Sequence, residues 1–393
     1  MGILSHSIGE SITNASWIRR MFEAGTVLKK QFGAENVYDF SLGNPDLPAP
    51  DVVAEGLQAF AQKAREPFAF GYMPNAGYPW AREKLAQHLS KEQGTPIAAE
   101  EVILTCGAAG GLNAFFRAVL NPGEGVLTFA PYFVEYGSYV ANHGGEFAAI
   151  PTIADTFAPD LAALEAAINA KTRVLMINSP NNPTGVVYSL EQLKGIVAVL
   201  EAKSREYGKP IFLVADEPYR FLAYDGAVVP SVLPLYDYAV VVSSFSKNLS
   251  LPGERVGYVI ISARMPEKAE LMAGMTLTNR ILGFVNPPVV GQHIMAAALG
   301  SQVDLKVYAA RRKAMAAVLD AAGYSYMMPQ GAFYFFPKAP GGDDVAFVGK
   351  LQEQRILAVP GSGFGCPGYF RLAFCVGEDV ILRAAAGFKA AKQ

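Results

Sequence analysis

From residue 102 onward the chain alternates short apolar, β-branched runs with longer segments of helical spacing. Runs at 102–105, 125–129, 146–150, 173–177, 211–215, 238–243 and 256–261 read as strands. Between them, 108–119, the segment beginning at Tyr132, and 190–207 carry the periodicity of helices. Strands that are apolar throughout are buried on both faces, and helices inserted between them make the connections of a largely parallel sheet. Ligands of such sheets bind at the carboxyl ends of the strands. The expected fold class is therefore α/β.

The flanks read differently. Residues 14–32 set Trp17, Met21 and Leu28 against Arg19, Arg20, Lys29 and Lys30, an amphipathic helix stopped at Gly33. A turn-rich stretch, 40–48, leads to helices at 51–63 and 80–93, with an irregular segment, 70–77, between them. Beyond Met265 helical character dominates to Ala322, including a helix from Pro288 to Ala298. The remainder mixes strands (332–336, 370–374) with helices, as an α+β layer does. These patterns predict a large domain over 45–290 and a small one made of 1–44 and 291–393.

Composition fits that division. At 393 residues, 51% of them apolar, the chain holds more than one ordinary core, and a net charge of -2 offers no basic surface for nucleic acid. Its apolar stretches fall short of the ~18 residues a membrane span needs. The first twenty residues lack the apolar centre of a signal peptide, and His6 stands where a myristoylation pattern wants Ser or Thr. A soluble, cytoplasmic protein is expected. Cys106, Cys366 and Cys375 have no Cys-x-x-Cys spacing, and the four histidines are scattered, so neither a metal site nor a histidine-based triad is expected.

Five positions carry chemistry. Lys247 follows an apolar run through a Ser-rich turn; burial disfavours an ammonium and makes the amine a nucleophile, whereas a snorkelling lysine reaches solvent. Ser244 and Arg255 flank it and can reach an anion beside the amine. At 105–111 small residues open a helix, which admits an anion to free N–H groups or merely allows tight packing; without Gly-x-Gly-x-x-Gly a dinucleotide is disfavoured. Asn182 sits in a loop stiffened by Pro180 and Pro183, as an amide donor or part of a plain turn. Asp216 ends an apolar strand, so it either caps the following turn or requires a cationic partner. Arg371 lies inside an apolar strand and wants a carboxylate, from a ligand or from the protein.

Taken together, Ser244-x-Ser246-Lys247 with Gly253-x-Arg255-x-Gly257, Asn182-Pro183-Thr184-Gly185, Asp216-x-x-Tyr219 and Arg371-Leu372-x-Phe374 resemble the motifs of class I/II aminotransferases. These are fold type I enzymes dependent on pyridoxal 5'-phosphate (PLP), and the resemblance runs from Gly43 to Phe374. It implies a large domain with a mostly parallel, seven-stranded type of sheet between helices, plus a smaller α+β domain. It implies Lys247 as the Schiff-base lysine, Asp216 at the cofactor's ring nitrogen, and Asn182 and Tyr219 at its phenolic oxygen. Gly107, Ala108, Ala109, Ser244 and Arg255 would hold the phosphate. Phe133, with Tyr132 beside it, would stack on the ring, and Gly43, Asn182 and Arg371 would bind the substrate carboxylate. Tyr72, five residues before Gly77, would reach a neighbour's cofactor phosphate across a homodimer. Amino acid and 2-oxo acid substrates are implied; a PLP-dependent carbon–sulfur β-lyase of the same fold shares the cofactor residues. Arg280 falls near where some family members read a substrate side chain, though a surface helix arginine has the same appearance.

Overall fold

A computed structural model describes residues 17–393, together with residues 3–5, 8, 9 and 12, and leaves the side chains of residues 18, 19 and 22 undescribed. The chain forms two compact units, one of residues 45–305 with 330–332, the other of residues 1–44, 306–329 and 333–393.

In the larger unit, helices α1 (Asp51–Lys63) and α2 (Pro79–Gln93) lead into strand β1 (Val102–Cys106) and helix α3 (Gly107–Val119). There follow β2 (Gly125–Ala130), α4 (Tyr136–Ala141), β3 (Glu146–Ile153), β4 (Ala158–Pro159), α5 (Leu161–Ala167), β5 (Thr172–Asn178) and α6 (Leu190–Tyr207). The unit ends with β6 (Phe212–Asp216), β7 (Ala239–Ser244), β8 (Val256–Ile261), α7 (Lys268–Ile281) and α8 (Val289–Ala298). One eight-stranded sheet results, ordered β1-β8-β7-β6-β5-β2-β3-β4. The β2, β3, β5, β6 and β7 pairings are parallel, β8 is antiparallel to both neighbours, and two-residue β4 adds an antiparallel edge beyond the seven strands expected.

The β-branched runs are strands because both faces of the sheet are covered. Val174, Val214, Val240, Val242 and Val259 pack with Leu112, Phe115 and Phe116 of α3 in one buried cluster. Complete burial of each such valine contributes about 1.5 kcal/mol or more. Helix α6 has the bounds its periodicity predicts because both ends are punctuated. The Ser189 hydroxyl accepts from the Gln192 N–H (3.2 Å), the Gln192 side chain accepts from the Ser189 N–H (2.8 Å), and Gly208 closes the helix in the left-handed conformation. Helix α4 begins at Tyr136, not at Tyr132, after a turn that follows β2.

The domain boundary expected at residue 290 falls inside α8. That helix packs along α1, with the Gly56 backbone against Ile294 and Ala297, and so belongs to the larger unit. Sequence periodicity finds such a helix but not the distant partner that decides its domain.

The smaller unit joins helix Trp17–Phe32 and strand Tyr38–Asp39 to the C-terminal part, where Tyr38–Asp39 pairs in parallel with Ile356–Leu357. The expected start of that helix at Asn14, and the N-terminal reading that rests on His6, lie outside the described residues. Strand Phe370–Ala373 is the centre of a three-stranded antiparallel sheet, between Tyr334–Phe335 and Val359–Pro360. Aromatic pairs fill its core, among them Phe347 with Phe370 and Phe335 with Phe374. Among the described residues no helix of the chain is long and apolar enough to cross a membrane.

Candidate active site

Strand direction collects the expected residues of the larger unit at one sheet edge. The carboxyl ends of β1, β2, β5, β6 and β7 lead to Gly107, Phe133, Asn182, Tyr219 and Lys247 respectively. Because β8 runs antiparallel, the residue before its start, Arg255, returns to that same edge; Ser244 pairs with Gly257, and Cys106 with Val256. Lys247 lies three residues past β7 in the turn 245–248 and is partly buried.

At the β1–α3 junction the first helical turn is built for close approach. Gly107 has φ +69°, and a Cβ there would stand 2.6 Å from an Arg255 guanidinium nitrogen. A Cβ on Gly257 would meet the Gly107 carbonyl carbon at 2.5 Å and the Ala108 nitrogen at 2.8 Å. Cys106, at the N-cap, makes no side-chain cap to the helix, so the opening N–H groups of Gly107, Ala108 and Ala109 carry the positive end of a thirteen-residue helix beside a guanidinium. Burial pushes the Cys106 thiol up in pKa, opposed by the nearby Arg255 charge.

Asp216 is the decisive side chain. It ends β6 and is buried; its Oδ2 accepts from the Tyr136 hydroxyl at 2.6 Å, and its Oδ1 has no hydrogen-bond partner among the described residues. Burial pushes its carboxyl up to about 7, the Tyr136 bond opposing and the neighbouring Glu217 charge adding to the rise. Glu217 is equally buried but answered: Gln93 Nε2 donates to it at 2.9 Å and the Arg220 guanidinium lies at 3.2 Å. Of two adjacent acids, one is in a complete structural pair and one keeps an oxygen for something else.

Around Asp216, the ring of Phe133 packs edge-on to Tyr136 at 5.6 Å, whereas Tyr132 turns away to Phe147 of β3. Asn182 and Tyr219 are both buried. The Asn182 N–H donates to Asn178 Oδ1, and Asn178 Nδ2 donates to the Asp216 carbonyl, each at 2.7 Å. Ser244 is buried at the end of β7. Tyr136 and Asn178 are the contributors that the sequence reading misses. A tyrosine at a helix start reads like any core aromatic, and the Asn178 contact depends on sheet register.

In the smaller unit, Arg371 is fully buried in its central strand and donates to the Ser41 carbonyl. Its guanidinium lies 4.8 Å from the Tyr334 ring centre and 4.9 Å from that of Phe364. Gly43 belongs to the same cluster, since the space of its missing side chain holds the Tyr334 hydroxyl. Two residues remain apart from these groups. Tyr72 is 98% exposed in its loop, and Arg280 is exposed on α7 near Arg82 and Glu100, as a surface helix arginine is.

A family model described as aminotransferase class I and II matches residues 35–388. The chain belongs to the class I and II aminotransferases. Among its relatives are an aspartate aminotransferase of Thermotoga maritima, 31% identical over 367 residues and 92% of each chain, and an aspartate/prephenate aminotransferase of Thermus thermophilus, 32% identical over 357 residues and 87% of each. Among solved structures, an aminotransferase from Eubacterium rectale superposes with a TM-score of 0.96 at 39% identity, covering 100% of this chain and 98% of that one. The Thermus thermophilus aspartate aminotransferase with maleate gives 0.87 at 27% identity over the whole of both chains. The chain is therefore an aminotransferase of fold type I, and the lyase alternative is not favoured.

PLP is the cofactor of these aminotransferases, and the residues present fit it. Its ring nitrogen, when protonated, is the cation that the unpartnered Oδ1 of buried Asp216 lacks. Its phosphate suits the Gly107 turn, where the N–H groups of a helix start lie beside the Arg255 guanidinium, a close approach that a side chain at 107 would prevent.

Proposed function

We propose that this aminotransferase exchanges an amino group between an L-amino acid and a 2-oxo acid, with Lys247 as the group that moves the proton. The observation that carries the reading is the buried carboxylate of Asp216, with one oxygen unpartnered, at the sheet edge from which the Lys247 turn departs. Bound PLP supplies an electron sink for the pair left when the substrate Cα–H bond breaks. Lys247 Nζ takes that proton as a base and returns it as an acid. Asp216 keeps the ring nitrogen protonated, a task for which a carboxylate short of one hydrogen bond is suited. The Asn182 carboxamide and the Tyr219 hydroxyl would donate to the cofactor's phenolic oxygen, and Phe133 would pack against its ring. Ser244, Arg255 and the N–H groups of Gly107, Ala108 and Ala109 would hold its phosphate.

Arg371, its guanidinium held against the rings of Tyr334 and Phe364, binds the substrate α-carboxylate together with Gly43, whose missing side chain admits the Tyr334 hydroxyl. Holding the carboxylate there, with Asn182, fixes the direction in which the Cα–H bond points. The names of the relatives make aspartate the first amino donor to test. We further place the enzyme in the cytoplasm as a homodimer in which Tyr72 serves the partner's site; its exposure leaves the ring available to a second chain.

The test is a panel of amino donors and 2-oxo acid acceptors, scored by the spectral change of each half-reaction. Wild type should bind PLP, borohydride should fix the cofactor to the peptide containing Lys247, and Lys247→Ala should lose at least about 10⁴-fold in turnover. A wild-type protein that binds no PLP, or one fixed at another lysine, would overturn the proposal.

A further inference from the structure

Asn178 closes β5 as the register partner of Asp216, which closes β6. Its backbone is the last of its strand to join that ladder, and its buried side chain continues the connection past the strand ends. One carboxamide bonds in two directions: Nδ2 donates to the Asp216 carbonyl and Oδ1 accepts from the Asn182 N–H, both at 2.7 Å. The loop carrying Asn182 is held by its own bonds and by neighbours: Asn181 Nδ2 donates to the Pro131 carbonyl at 3.4 Å, and the Gly185 carbonyl accepts from the Gln330 and Gly331 N–H groups at 2.9 and 2.8 Å. Asn181 Oδ1 accepts from the Thr184 N–H (3.0 Å) and hydroxyl (2.8 Å), and the Gly185 N–H donates to the Asn181 carbonyl (2.9 Å). Such a loop is firm, and the Asn178 carboxamide is what ties it to the end of β6.

We infer that Asn178 is a positioning residue, a brace that sets where the Asn182 carboxamide stands relative to the Asp216 carboxylate. The inference rests on the proposed function, in which those two side chains address two polar atoms of one ring. Asparagine suits the task because it is short and offers a donor and an acceptor on one rigid plane. Aspartate has nearly its shape but cannot donate, and it faces the Asp216 carbonyl with a second acceptor. A shift of about 1 Å at either end misplaces both contacts together, since each is made to the same small ring.

The sign of the effect follows. Donation to the phenolic oxygen favours its ionised form, and so does a protonated ring nitrogen in the same ring. Loosening either contact raises the pH at which the bound cofactor's absorption changes. PLP is titrated into wild type, Asn178→Asp, Asn178→Ser and Ser179→Ala, recording dissociation constant, melting temperature and the pH midpoint of the bound spectrum. Ser179 is the control: its buried hydroxyl accepts from the Tyr188 N–H at 2.9 Å, a bond that involves neither Asn182 nor Asp216.

Asn178→Asp should weaken PLP about tenfold and raise the midpoint by about one pH unit. Ser179→Ala should lower the melting temperature alone. Should Asn178→Asp not fold, Asn178→Ser, whose shorter arm reaches one partner at most, carries the same expectation. A folded Asn178 variant whose midpoint and affinity move no more than those of Ser179→Ala would overturn the brace. Failure of wild type to bind PLP would instead overturn the proposed function beneath it.

Discussion

Asp216 and Glu217 are consecutive and both buried, yet only Glu217 has a cation against it. This difference has a pH signature. The carboxyl of Asp216 is pushed up to about 7 by burial, against about 3.9 in an unfolded chain. Between those values the folded protein holds a proton that the unfolded chain has released. The stability this group contributes is therefore full below about pH 4 and is lost as pH rises through about 7. Cofactor-free protein should become easier to unfold in urea on going from about pH 5 to about pH 8. Asp216→Asn should flatten part of that decline, leaving the share due to Glu217, whose carboxyl burial also raises. Equal pH dependence in wild type and variant would remove Asp216 as its source. A cation at Oδ1 favours the carboxylate, so PLP should protect most at the alkaline end.

Among elements, the packing of α3 on β8 makes a demand on backbone close to the candidate site. Gly257 lies under the helix start, and a methyl group there would meet the Gly107 carbonyl carbon, the Ser243 carbonyl oxygen and the Ala108 nitrogen, all within 2.8 Å. These are backbone atoms, and they cannot turn aside as a side chain does. Gly257→Ala should cost about 1–3 kcal/mol of stability and, by lifting the first turn of α3, weaken PLP more than a substitution with the same melting loss far from the site. Thermal melts paired with PLP titration measure both; unchanged affinity would mean that the cradle tolerates the shift. Much of this arrangement is legible in sequence, since Gly253-x-Arg255-x-Gly257 and the small residues at 107–111 are local patterns tied to local backbone needs. The Tyr136–Asp216 bond is not, because it joins residues on α4 and β6 through the fold, and a hydroxyl aimed at a carboxylate leaves no periodic trace. The same holds for Asn178, whose partners are named only once β5 and β6 are in register.

For the whole molecule, alternating strands and helices predict the sheet because burial on both faces makes each run uniformly apolar. Membership of α8 escapes that reading, as its partner α1 lies far away in sequence. So do the two residues of β4, which are too few to show a period. Phe68 (91%), Phe70 (61%) and Tyr72 (98%) are exposed within five residues of one another, a concentration of large apolar side chains that suits a protein contact. With a chain mass of 42.0 kDa, sedimentation should give a species of roughly twice that mass, and Tyr72→Phe should weaken PLP without dissociating it. A monomeric wild type would exclude a contribution from a partner.

The place of β1 in the sheet bears on how the protein is made. Although it is the first strand of the sheet to leave the ribosome, its one neighbour is β8, the last. The Gly107 turn therefore hangs without its guanidinium and without its floor until residue 261 has been synthesised and has cleared the exit tunnel. A nascent chain stopped at Ser244 already has Asn182, Asp216 and Tyr219 in its sequence, but it lacks β8, the strand on which β1 settles. With the phosphate assigned to the Gly107 turn as proposed above, capture of PLP during translation is expected to follow the addition of β8, so that the cofactor binds the completed sheet.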